Sequence, residues 1–575
     1  MKLARIGILL DRQAASRLHG LGQNVFQAYL GEILAHAGIG FRWLDSADEL
    51  NRDSFDLVLV ALAGEDKATA EALLRFAEQG GGILSYGGLN GRLASRLGFC
   101  RGQECGPGYL IQYSGEGTGQ TLRFLTAVPW RASGGAPAYP MRERGILIPG
   151  APEDHTAGAA FQQFTIGTGF IDRWAVDIPS TVVQLQQGAG PVTEDGAPAP
   201  DGTAELNDGF LKADDVFELD WEWDRKKTET GQPYFSTAYA DLWREELIGH
   251  LLQRALGMEL TVPFVDYWPE GVSYTAVLSH DSDGNLEEEA QAALELLEEC
   301  GIQSTWCMLE PGYSAEIYSR IREAGHELAF HYNAVEPDEG FWDESEFRRQ
   351  LEWLRKAIGE EGPLTNKNHL TRTEGWGEFF RWCEGAGITC DQSRGPSKKG
   401  NSGFLYGTCH PYFPISWSDE SNRLYNVLQI GFLTQDLDHG KWADSSVIVP
   451  YLEEVRKVRG AAHFVVHQYH IYRREEVRDS MRRIVAEARK RGFAFWTIRE
   501  IEEWERWRRE LTIKATPEDG RFSVMDSKGN SHWQGKKPVV WIPVSAEEQS
   551  AGEAEGLTQR FGVWCRQAAP AIEEA

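Results

Sequence analysis

The sequence predicts an α/β protein: a doubly wound domain with a β-rich insertion, then a (β/α) barrel, then a small β appendage. Three observations carry this. The first hundred residues alternate short apolar runs with amphipathic helices. Residues 272–500 repeat a strand–helix alternation about eight times, a count that suits a (β/α) barrel. Polar residues able to do chemistry recur at the ends of those later strands, where barrel enzymes place their sites.

The elements follow in order. "ARIGILL" (4–10), "DLVLVAL" (56–62) and "GGGILSYGG" (80–88) read as buried strands, with helices over 24–37 and 68–79 between them. Such alternation implies a parallel, doubly wound sheet over residues 1–104. Residues 105–238 turn rich in Gly, Pro and Thr, and "AAFQQFTIG", "RWAVDI" and "STVVQLQQG" read as hairpin strands. The polar excursion 188–209 is expected to be mobile. An amphipathic helix, "YADLWREELIGHLLQRALG", spans 239–257 and leads through a linker to 260. The barrel is expected over 261–510. Its strands are "SYTAVLSHD", "STWCML", "ELAFH", "NKNHLTR", "ITCDQS", "LYNVLQIGFLTQD", "AHFVVHQ" and "FAFWTI". Residues 511–575 alternate around turn pairs and form the β appendage and a tail.

Composition excludes several classes. A length of 575 residues suits three or four domains, and 42% hydrophobic content supports sizeable cores. A net charge of −28 argues against nucleic acid or an anionic membrane as the main partner. The first residues lack a signal-peptide core and no apolar run reaches the ~18 residues of a membrane span, so a cytoplasmic location is expected. Eight cysteines contain no CxxC pair and suit buried thiols better than a redox centre. Oligomeric state is left open.

"VLSHDSDG" (277–284) ends a buried strand with two carboxylates, Asp281 and Asp283. Their mutual repulsion and desolvation need an offset, and a bound cation supplies one; a solvated turn is the alternative. His331, His369, Arg372, Asp391, Asp436 and His467 occupy the ends of the following strands. Nine of the 14 histidines fall between 280 and 470. One carboxylate with two imidazoles makes a first shell for Zn²⁺ or another divalent transition metal. A second, non-coordinating carboxylate suits a general base for the metal's water. The i, i+2 spacing lets Asp283 reach the metal while Asp281 faces the water. His280 alternates with Asp281 and should face away.

On these residues, the region 272–500 resembles the polysaccharide deacetylase (NodB-like, carbohydrate esterase family 4) superfamily, whose fold is a deformed (β/α)7 barrel. "SHDSDG" resembles the HDxD variant of its first motif, which implies Asp281 as base and Asp283 as metal ligand. In "GHELAFHYNAVE", His331 matches the first ligand of an H-x-x-x-H motif, but Val335 holds the second position. "NHLTRTEGWG" offers His369 in place of that ligand and Arg372 as the arginine that pairs with the base. "VVHQYH" resembles the last motif, with His467 as general acid and Asp436 as its orienting partner. The resemblance implies metal-dependent removal of an N- or O-acetyl group from a carbohydrate or another small acylated substrate. A non-catalytic carbohydrate-binding or scaffold protein on a degenerate barrel is the alternative. Tyr332, Trp376, Tyr412, Phe413 and Trp417 are stacking candidates for sugar rings, or ordinary core aromatics. The first hundred residues resemble the flavodoxin-like domain of class I glutamine amidotransferases. Cys100 in "GFCRG" follows a helix-like segment instead of a strand, so no working nucleophile is expected there.

Overall fold

The computed structural model describes residues 2–87, 89–111, 121–135, 137–205, 209, 211–335, 340–359, 362–515, 522–545, 548 and 556–568. Tail residues 569–575 lie outside it.

A nine-stranded sheet organises the first part of the chain. Five parallel strands run in the order Arg42–Leu44, Ile6–Leu10, Leu57–Leu62, Gly82–Ser85 and Gly169–Trp174. The sheet continues antiparallel through Gly158–Ile166, Met141–Pro149, Gly108–Ile111 and Thr121–Phe124. Leu57–Leu62 is continuously apolar and almost wholly buried because helices cover both faces of a parallel sheet. Met141–Pro149 is exposed over much of its length, as an antiparallel strand with one wet face allows.

Two sequence expectations fail here. "STVVQLQQG" is not a strand but the helix Ile178–Gln187, started by the Asp177 side chain on Ser180 N and by Pro179 in the first turn. Burial on nearly every side outweighs the β preference of Thr181, Val182 and Val183. The excursion from residue 188 is not loose chain either. Val192 exchanges backbone hydrogen bonds of 2.9 Å with Gly375, Thr373 N donates to Leu211 O at 3.1 Å, and Gly400 N donates to Thr203 O at 2.8 Å. Asp214 Oδ2, buried, accepts from Ser397 N, Ser397 Oγ and Asn401 Nδ2.

The helix Tyr239–Gly257 ties the parts together. Trp243 Nε1 donates to Arg123 O at 2.6 Å in the first sheet, while Asp241 accepts from Thr408 Oγ1 and Cys409 N on the barrel side.

The second sheet is entirely parallel and curls. Its order is Leu428–Gln429, Cys390–Asp391, Thr365–Asn368, Glu327–Tyr332, Thr305–Met308, Thr275–Asp281, Ala461–His467 and Thr434–Gln435. The two edge strands are joined by residues 430–433. Ile430 N bonds Asp391 O at 2.9 Å on one side and Leu433 N bonds His463 O at 2.9 Å on the other, so the connecting chain spans from one edge of the curled sheet to the other. "FAFWTI" does not join the curled sheet as a full strand; Ala494–Phe495 pairs only with Thr275 and Ala276 at the start of the first barrel strand. A four-stranded antiparallel sheet of Phe264–Val265, Val540–Pro543, Val563–Gln567 and Leu557–Arg560 forms the appendage. Among the described residues no helix is long and apolar enough to cross a membrane.

Candidate metal centre

Strand alternation sorts the barrel residues. Asp281 and Ser279 share one face of their strand, and Ser279 Oγ lies 2.8 Å from His463 Nε2 on the neighbouring strand. His280 points to the opposite face, against the Trp306 ring at 5.7 Å, and burial lowers its pKa to about 3, so it stays neutral. His331, Lys367 and His467 reach the same pole as Asp281 from three further strands.

At that pole Asp283 is ringed by imidazoles. Its Oδ1 lies 3.3 Å from His331 Nε2, and its Oδ2 lies 3.4 Å from His369 Nε2 and 3.5 Å from His467 Nε2. The His331 and His369 rings are 5.3 Å apart. His331 Nδ1 is 2.9 Å from Lys367 O, a contact that needs the proton on Nδ1 and leaves the Nε2 lone pair toward Asp283. His369 Nδ1 is similarly placed 3.2 Å from Asn333 Oδ1. His331 Nε2 and Asp283 Oδ1 are both buried, face each other, and lack a hydrogen-bond partner. Two buried acceptors pointed at one another are what a cation between them would satisfy. One carboxylate and two imidazoles form a suitable donor set, and Asp283, His331 and His369 present ligand atoms within 4.8 Å of one another. Asp283 keeps 17% of its side chain accessible and His369 10%, against 0% for His331, so the opening lies on their side.

Asp281 lies beside this set, not within it. Its Oδ2 pairs with Lys367 Nζ at 2.6 Å and stands 3.8 Å from both His331 Nε2 and His467 Nε2. Burial pushes its carboxyl up, but Lys367, His331 and His467 together hold it below the ordinary carboxylate range. His467 is oriented from behind: Asp436 accepts from its backbone N at 2.8 Å and from its Nδ1. Burial would lower the His467 pKa, but Asp436 and then Asp283 raise it to about 9. Its Nε2 therefore carries a proton at neutral pH and aims it at the pole.

The structure corrects several site expectations. Arg372 does not pair with Asp281. Its guanidinium is taken by Glu374 at 2.7 Å and by Ala334 O, and Lys367 supplies the cation instead. Tyr332 is not a sugar platform, because alternation turns it outward against Phe347 at 5.1 Å, where its hydroxyl accepts from Asp343 N. Trp376, Tyr412 and Trp417 sit at the junction with the first sheet. Trp376 stacks on Phe26 at 5.8 Å and meets Trp417 at 4.7 Å, while its Nε1 donates to Ile415 O at 2.8 Å. Tyr412 OH donates to Gln186 O at 3.0 Å, and Phe413 lies under Arg506 and Arg509. These rings are used as interface packing, and the polar atoms of Trp376 and Tyr412 are satisfied by backbone.

The sequence reading missed Lys367, His470 and Trp442. His470 Nδ1 stands 3.0 Å from the other Asp436 oxygen, and the Trp442 ring lies parallel to His467 at 5.7 Å. A signal for Lys367 was present: "TNKN" (365–368) is an all-polar strand, which a fully buried position tolerates only with partners waiting. The exposed Cys100 sits in the short strand Phe99–Arg101 after the helix Gly91–Leu97, with its Sγ toward Arg131 O, not on a strand-to-helix elbow.

No family model and no curated protein matches the chain. Among solved structures, it is similar to a protein of Mycobacterium smegmatis assigned as a polysaccharide deacetylase. Identity there is 16%, over 42% of this chain and 92% of that one, with a TM-score of 0.31. The peptidoglycan deacetylase PdaC of Bacillus subtilis is 11% identical over 42% of this chain and 95% of that one, at a TM-score of 0.25. A β-galactosidase of Rahnella sp. R3 is 16% identical over 30% of this chain and 29% of that one, at a TM-score of 0.24.

Proposed function

We propose that this chain is a metal-dependent hydrolase that removes an acetyl group from the nitrogen or oxygen of a carbohydrate. The observation that carries the reading is the division of labour around Asp283. Asp283, His331 and His369 bring ligand atoms within 4.8 Å of one another, with Asp283 Oδ1 and His331 Nε2 unsatisfied, while a lysine-held carboxylate and an aspartate-held, protonated imidazole flank them. Asp283, His331 and His369 would hold a divalent metal ion, which would supply Lewis-acid polarisation of the acyl group and lower the pKa of water.

The remaining chemistry belongs to the chain. Asp281, ionised because Lys367 neutralises it, accepts the proton of the attacking water. His467, kept protonated by Asp436, donates from Nε2 to the departing amine or alkoxide. The carbohydrate class rests on the motif resemblance of residues 272–500. A binding-only role is disfavoured because the rings expected to stack on sugars are spent on packing between the two sheets, and binding needs no Asp281–Lys367 pair.

Asp281→Asn and Asp283→Asn test the assignment, with metal content and acetate release from acetylated sugar oligomers measured together. Asp281→Asn should keep its metal and lose about 10²–10⁴-fold in rate. Asp283→Asn should lose metal and activity together. The opposite pattern reverses the roles, and indifference in both variants refutes the site.

A further inference from the structure

A second feature lies in the first sheet, outside the barrel. Arg142, Gln163 and Asp172 stand in register across three antiparallel strands, and Arg144 lies two residues beyond Arg142. Alternation therefore puts Arg142, Arg144 and Asp172 on one face. The helix Tyr239–Gly257 packs on that face, and from its later turns His250 and Arg254 each reach Asp172 at 2.9 Å. The Arg254 guanidinium lies on the Phe170 ring at 3.6 Å, and Gln163, with its amide oxygen turned toward it, accepts from its Nη1 at 2.8 Å. Arg254 is thus a cation held rigidly from three sides.

Near the end of this helix the face opens into two cavities of about 750 and 510 Å³ that share Arg142, Gln163 and Arg254. Arg52 enters the larger and Arg144 the smaller. Among the described residues the one acid lining either is Glu143, in the smaller, whose Oε1 accepts from Gln162 Nε2 at 2.8 Å. Arg52 shares Asp56, at 3.3 Å, with Arg5, which holds the same carboxylate at 2.8 Å, and Arg254 is matched by Asp172. Among the described residues, Arg142 and Arg144 have no carboxylate partner. Two uncompensated guanidinium groups therefore face a cavity in a chain of net charge −28. Repulsion opposes gathering like charges, and an anion in the cavity would offset it.

We propose that this cavity is a binding site for a phosphate-bearing small molecule. Guanidinium forks match phosphate oxygens pairwise, and the several oxygens of one phosphate can engage Arg142 and Arg144 together, whereas a carboxylate has only the two oxygens that one fork takes. The smaller cavity, which Arg142 and Arg144 both line, has a volume of about 510 Å³, within the range of small-molecule sites and more than a bare ion needs.

The test is calorimetric titration of the full chain with inorganic pyrophosphate at matched ionic strength, beside the double variant Arg142→Ser/Arg144→Ser. Both changed positions are exposed strand residues distant in sequence from the barrel site, so the variant should fold. We expect saturable binding by the native chain, at least tenfold weaker in the variant, with metal content and deacetylation unchanged. Absence of saturable binding, or equal binding by the variant, overturns the proposal; the latter result would place pyrophosphate elsewhere, the barrel centre included. Equal affinity for citrate overturns the phosphate assignment.

Discussion

Replacing Lys367 with methionine isolates the base from the metal site. The ammonium group lies 2.6 Å from Asp281 Oδ2 with 1% of the lysine side chain exposed, so solvent does little to screen the pair. At an effective dielectric of about 20, the direct attraction over that distance is about 6 kcal/mol. Desolvation of both ions opposes it, and removing one partner of a buried pair costs about 3–5 kcal/mol in measured cases. Part of that loss appears as lower stability and part as a higher Asp281 pKa, with one pKa unit equal to about 1.4 kcal/mol. The pKa of Asp281 is depressed in the native chain, so its ionised form prevails above the ordinary carboxylate range and is lost only as pH falls through the lowered value. In Lys367→Met the acid limb of the kcat/KM profile should therefore move to higher pH. Metal should stay, because the Lys367 carbonyl that holds His331 Nδ1 belongs to the backbone and survives the change. Acetate release across pH, with metal analysis and thermal unfolding on the same samples, reads all three effects. An unmoved acid limb, or metal lost in step with activity, refutes the separation of base from ligand.

Asp436→Asn should let the His467 pKa fall from about 9 toward the ordinary histidine value, moving the alkaline limb of kcat down while metal is retained. In chelator-treated native protein the same raised pKa has a stability signature. The contribution of His467 is full below about pH 6.5 and is lost as pH rises through about 9, which urea unfolding across that window would show. Trp376→Ala should cost about 3–5 kcal/mol of stability by opening the Phe26–Trp417 packing, with KM for a sugar oligomer unchanged. A raised KM at unchanged stability would restore the sugar-platform reading. In native labelling one thiol, Cys100, should react quickly without loss of activity, since Cys105 is only partly accessible and the other six cysteines are buried.

What could be read in the sequence was whatever local pattern carries. The strand-end positions of Asp283, His331, His369 and His467 were legible because period-two alternation and strand length fix where a side chain emerges. Asp436 was legible for the same reason, and the structure sets it against His467. Pairing across the barrel was not legible. Whether Arg372 or Lys367 meets Asp281 depends on which of two cations in one short segment points inward, and the 3₁₀ turn after Asn368 carries Arg372 out of the interior. The aromatic residues were misread because a ring beside a loop has the same local pattern whether it meets a ligand or another domain. Only the approach of Phe26 and Gln186 from the first sheet distinguishes the two. The strand reading of "STVVQLQQG" failed because propensity was judged without the cap at Asp177 and the burial that overrides it.

His369 shows how far the two sheets act as one unit. The loop that carries Val335 in place of a second histidine ligand still serves the site, since Asn333 Oδ1 accepts from Val335 N and contacts His369 Nδ1. The proposed ligand His369 follows the next strand, and the chain there turns sharply to present it. Leu370 and Thr371 both adopt left-handed backbone, at φ 53° and 58°, a conformation that costs about 1–3 kcal/mol per non-glycine residue. Such a turn persists only where its surroundings over-determine it. Here the reinforcement comes from the first domain's excursion: Val192 is bonded in both directions to Gly375, and Leu211 O accepts from Thr373 N. Lys212 bridges Arg372, which is itself anchored on Ala334 O beside Val335. His369 is thus held in place by a segment outside the barrel, and the geometry of the proposed metal site depends on the packing of the two sheets against each other.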